Sequence, residues 1–172
     1  MAGMALVLGT LLAHGTSTDS TLHELMEEVV AVQTKLIWDI GNASLDDEGN
    51  PDPAKITPLD WGRVAAASVR IRQVADALAV ATPVKVAAPG HTISGEGTPG
   101  AFGAKEVQAA IDADRAGFRQ LARKLALAMR DVNAVAKSRD ASRLFEVSGR
   151  IDEVCEQCHK RYWYPADADK NK

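Results

Sequence analysis

Apolar residues recur at three- and four-residue spacing along four long stretches of this chain, the pattern of helices that each bury one face. The first stretch runs from about Asp19 to Ile40, with Leu22, Met26, Val29, Leu36 and Ile40 on one stripe and Gln33 as its polar gap. The second opens on Thr57, Pro58 and Asp60: an N-cap, a first-turn proline and an acidic residue suited to the helix dipole. It carries Trp61, Val64, Ile71, Ala75 and Leu78, is interrupted by Ser68, and ends near Ala81 before Pro83. The third, about Ala104 to Lys137, carries Val107, Ile111, Phe118, Leu121, Leu125, Met129, Val132 and Val135. The fourth, about Arg139 to Trp163, carries Leu144, Val147, Ile151, Cys155, Cys158 and Tyr162, and Pro165 closes it. Four such helices predict an all-α protein, an antiparallel up-down-up-down four-helix bundle.

Composition points the same way. Of 172 residues, 29 are alanine and only 5% are aromatic, which favours helices over strands and makes a sandwich or barrel unlikely. The length fits one domain. A net charge of −3 argues against a nucleic-acid binder held by basic excess, and two cysteines are too few for a disulfide scaffold.

The regions between and before the helices are less regular. Residues 42–56 contain DDEGNPDP and read as a loop. Residues 82–103 hold three prolines and five glycines without helical period. That is long for a compact domain. It reads chiefly as a surface excursion, although His91 within it could reach a site. Met4 to Ala13 form an apolar run of the length of a secretory signal core, too short to span a bilayer. Small residues at Ala13 and Gly15 suit cleavage nearby, although no Lys or Arg precedes Lys35. The expected layout is a signal peptide over 1–18, a helical domain over 19–165 and a tail over 166–172. Nothing after the leader is long and apolar enough to span a membrane.

The chemistry is concentrated at residues 155–159, Cys-Glu-Gln-Cys-His, the C-x-x-C-H attachment pattern of c-type haem. Positions i, i+3 and i+4 share one helix face, so Cys155, Cys158 and His159 point the same way. Two thioethers can then clamp the porphyrin edge while the imidazole reaches the iron. The motif lies on the inward stripe, which puts the cofactor in the bundle interior. Rival readings fare worse. A redox C-x-x-C sits at a helix N-terminus after a strand. A zinc site needs further ligands, and only His14, His23 and His91 remain, scattered. A disulfide between residues three apart on one helix has poor geometry.

A sixth iron ligand follows from bundle geometry. The first and fourth helices are antiparallel, so the start of one lies beside the end of the other. Met26 lies about 10 Å into helix one and His159 about 6 Å from the end of helix four, at 1.5 Å per residue. Met26 is therefore either a thioether ligand or an adaptable core residue packed on the haem. His23, one turn earlier, is a rival ligand, and Tyr162 has the best claim among the remaining aromatics to touch the porphyrin. Trp38, Trp61 and Trp163 read as core filling rather than haem contacts.

With its motif at the C-terminal end of a four-helix chain, the sequence resembles the class II c-type cytochromes, the cytochrome c-prime group. The run CEQCHKRYWYP and the placement of Met26 carry the likeness. The resemblance implies a secreted, usually periplasmic protein with one haem c, anchored by Cys155 and Cys158 and ligated by His159. High-spin members leave the other iron face open and bind small gases. Low-spin members place a Met there and transfer electrons, and Met26 points to that branch. Family members often carry an Arg one turn before this residue for a haem propionate. Leu22 stands there, leaving Arg63 and Arg70 as candidates. The 82–103 loop also looks longer than its family counterpart. Many members are homodimers, which periodicity here does not reveal. The leading expectation is one-electron carriage without catalysis, since no nucleophile–base pair stands out. The alternative is a five-coordinate protein binding nitric oxide or carbon monoxide, and the third reading is a haem-free thiol oxidoreductase or a purely structural helical module. The redox partner is not legible in the sequence.

Overall fold

The computed structural model describes residues 20–164. The predicted leader and tail, 1–18 and 166–172, lie outside them. Thr21 starts the first helix with a reciprocal capping box: its hydroxyl accepts from the Glu24 amide at 3.3 Å, and the Glu24 carboxylate accepts from the Thr21 amide at 2.7 Å. Helix α1 is one rod in three parts: α-helical Leu22–Glu24, π-helical Leu25–Ala31 and α-helical Val32–Ala43. A short 3₁₀ turn, Pro53–Lys55, precedes α2 (Pro58–Val80), which begins on the expected Thr57–Asp60 box. The stretch expected as one third helix is two, α3 (Ala104–Ala113) and α4 (Arg115–Ser138), followed by α5 (Ala141–Tyr162). Among the described residues the only β pairing is an isolated bridge between Leu45 and Pro51. The four rods α1, α2, α3–α4 and α5 make the expected bundle.

The break at Asp114 has a local cause. Its backbone leaves the helical region (φ −137°, ψ 51°), and its carboxylate then accepts from the Gly117 amide at 3.1 Å, restarting the helix as an N-cap. The apolar periodicity runs through the break, so pattern alone does not reveal it.

The expected stripes of α2, α3 and α4 are all buried. Ile37, Ile71, Ile111, Met129, Leu144 and Ile151 are among the largest fully buried side chains. Each such aliphatic contributes roughly 1.5–3 kcal/mol by leaving water. Ser68, the polar interruption in α2, is also fully buried. Its hydroxyl donates to the Ala65 carbonyl at 2.8 Å and accepts from Asn133 Nδ2 at 3.0 Å, tying α2 to α4.

On α1 the stripe departs from expectation. Beyond Met26 the buried positions are Val30, Thr34, Ile37 and Gly41, whereas Val29, Leu36 and Ile40 are only half-buried. A π turn closes i→i+5 rather than i→i+4 and so takes up one more residue. The inward face is shifted accordingly.

Candidate haem site

Helices α1 and α5 enclose, with α2, α3 and α4, a cavity of about 330 Å³, within the roughly 300–1,000 Å³ of cofactor pockets. Cys155, Cys158 and His159 open onto it from α5. Leu22, Met26, Val30, Thr34 and Trp38 open onto it from α1, an unbroken run of four-residue steps. The wall is predominantly apolar, with Leu78, Leu121, Leu125 and Phe118 among its members. No Lys or Arg among the described residues lines it.

Electrostatics suit a neutral donor set. Burial, with Asp152 adding to it, pushes the Cys155 thiol up to about 11. Burial, reinforced by Cys155, does the same to Cys158. Both are therefore protonated at neutral pH, the opposite of the lowered pKa that makes a thiol a redox nucleophile. Desolvation holds His159 below its ordinary pKa, which favours the neutral imidazole that binds metals. The ring of Trp163 packs edge-on to that of His159 at 5.5 Å between centroids, and the amides of Trp163 and Tyr164 both donate to the His159 carbonyl at 2.8 Å. Among the described residues, four buried side-chain polar atoms lack a partner: His23 Nδ1, Thr34 Oγ1, Trp38 Nε1 and Trp163 Nε1. All four belong to residues around this cavity. Unmet polar groups gathered at one place mark a ligand site more than a finished core.

Tyr162 reaches the cavity, as its stripe position suggested, but its hydroxyl has another task. It donates to the Asp114 carboxylate at 2.8 Å, and Arg161 pairs with the same group. The end of α5, which carries His159, is thereby fastened to the α3–α4 break. Chiefly because of the Tyr162 hydrogen bond, Asp114 sits below the usual carboxylate range. A depressed carboxyl contributes stability above its unfolded pKa and loses it as pH falls through the folded one. Tyr162→Phe is expected to lower stability by about 1 kcal/mol at neutral pH, a difference that shrinks in acid. Urea unfolding at several pH values checks both.

The structure corrects several expectations. Trp38 and Trp163 line the cavity, and only Trp61 is confined to the core. Arg63 is exposed and paired with Asp60, Arg70 is exposed, and neither lines the cavity. His91 is exposed and does not line the cavity, whereas His23 does. The 82–103 segment is more than a surface excursion, because Val86 and Ile93 are buried in the cavity wall. The run of four-residue steps after Met26 was the available signal for Thr34 and Trp38. Nothing local marks Val86 or Ile93.

A helical bundle with a C-x-x-C-H face opening on an apolar cavity between its helices is the arrangement of a c-type haem protein. Over residues 58–163 the chain matches the family described as Cytochrome C', and it belongs to that family. The matched span includes the whole motif but not α1, and hence not Met26. No curated protein and no solved structure matches the chain.

Proposed function

We propose that this protein carries single electrons on one haem c, held as thioethers by Cys155 and Cys158, with His159 and Met26 as axial ligands. The observation that carries this reading is that the three motif side chains and, from the facing helix, the Met26 side chain all open on one largely apolar cavity. When bound, the haem supplies a one-electron iron couple. The chain does the rest. Cys155 and Cys158 fix the ring edge, His159 offers a neutral nitrogen steadied by Trp163, and the aliphatic wall excludes water. A Met thioether opposite a His raises the reduction potential. The periplasm, where members of this family typically work, is the compartment that goes with this reading, and residues 4–13 are its supporting sequence feature. No described helix is long and apolar enough to cross a membrane.

The second reading, a five-coordinate iron that binds nitric oxide or carbon monoxide, draws on the family match, which does not extend to Met26. Absorption and magnetic circular dichroism spectra of the purified protein decide between them. A low-spin His/Met signature in both oxidation states is expected. A high-spin one overturns electron carriage by this ligand set.

A further inference from the structure

The 82–103 segment is fastened across the cavity on the side of Met26. Its first part closes the start of α1: the Leu22 and His23 amides donate to the Lys85 and Val86 carbonyls at 2.7 and 2.9 Å. Gln108 of α3 clamps the same stretch, accepting from the Val86 amide at 2.9 Å and donating to the Val84 carbonyl at 3.0 Å. Its second part lies against the next turn of α1. Ile93, only 6% exposed, is in the cavity wall, and the hydroxyl of Ser94 donates to the Glu27 carboxylate at 2.8 Å. Glu27 is the residue after Met26 and itself lines the cavity. The Glu96 carboxylate accepts from the Ile93 and Ala104 amides at 3.1 and 3.2 Å and so sets the curve of the strap. Gly95 has φ +78°, and a Cβ there would stand 3.2 Å from the Tyr164 hydroxyl, so the strap also presses on the segment after α5. Finally, the Phe102 amide donates to the Trp163 carbonyl at 2.9 Å.

We propose that Ile93 is a specificity-determining residue that limits which external ligands reach the Met26 side of the haem, and that the Ser94–Glu27 hydrogen bond is the latch that keeps it in place. The inference rests on the haem reading above and assigns a role to a segment outside the motif. Ile93 fills space with a branched aliphatic side chain, so it discriminates by size rather than by charge. The latch is an exposed hydrogen bond, so it opens readily and sets a rate rather than an absolute barrier.

The test uses the haem-loaded protein and two probes, carbon monoxide and n-butyl isocyanide. Association rates are measured in the parent if its iron is five-coordinate, and in Met26→Ala if the parent is six-coordinate. Into that background go Ile93→Ala, Ser94→Ala, Glu27→Ala and the Ser94→Ala/Glu27→Ala pair. Ile93→Ala is expected to speed the isocyanide tenfold or more while changing carbon monoxide far less. Ser94→Ala and Glu27→Ala are each expected to speed both ligands a few fold, and the double variant no more than either alone, because both break the same bond. Equal effects of Ile93→Ala on both ligands, no effect of any variant, or additive effects of the latch pair would overturn the proposal. Absence of covalently held haem in the parent would instead overturn the reading it rests on, and separate spectra report that independently.

Discussion

Met26→Ala is expected to turn a six-coordinate, low-spin iron into a five-coordinate, high-spin one. The reduction potential is expected to fall by on the order of 100 mV, a modest part of the roughly 0.8 V that axial ligands span. Carbon monoxide, expected to be excluded while a thioether holds the iron, is expected to bind rapidly in the variant. Met26 is half-buried and packed against the core at the cavity wall, so alanine removes a ligand without exposing a large apolar surface. Redox titration and carbon monoxide mixing read both effects. A spectrum that stays low-spin would assign the sixth position to another group on the same wall, with His23 first in line. Unchanged gas binding from an already high-spin parent would establish the five-coordinate reading.

Cys155→Ala combined with Cys158→Ala is expected to abolish covalent attachment. The Soret band of the parent is expected to survive extraction with acidic acetone, and that of the double variant to be lost entirely to the organic phase. Each single variant keeps one thioether and retains most of its haem. The consequence for the fold is as large as that for the cofactor. At about 24 cal/mol per Å³, a closed, dry cavity of this size would cost about 8 kcal/mol. That is an upper bound for a cavity open on one side, but it is comparable with the 5–15 kcal/mol that holds a typical domain together. Without haem the bundle is expected to contract or lose fixed packing, read as a loss of near-ultraviolet circular dichroism with far-ultraviolet signal retained.

How much of this was legible in the sequence depends on which force decided each feature. Burial of α2, α4 and α5 follows hydrophobic periodicity, and every apolar residue expected inward on α2 is inward. The Thr57–Asp60 start is local hydrogen-bond chemistry and was equally readable. The motif on α5 states its own geometry, since three side chains at i, i+3 and i+4 must share a face. The failures are tertiary. Asp114 breaks a helix that periodicity carries straight through, and the carboxylate that caps the restart is also held by Tyr162 and Arg161, more than forty positions later in the chain. Val86 and Ile93 sit among prolines and glycines, and only the fold brings them to the cavity. Trp38 was misplaced, and Thr34 passed over, because α1 does not keep the period of an α-helix.

That irregularity gives Met26 an unusual status. Its direction depends on how many residues the rod spends between its capped start at Thr21 and its packed end at Ile37, not only on its own side chain. Each residue turns an α-helix by about 100°. A rod of the same sequence wound as α-helix throughout would align either its first turns or its last with the core, but not both. The π segment works as a phase adjuster between two docking constraints, and the facing partner of His159 is set by backbone winding as much as by the choice of methionine.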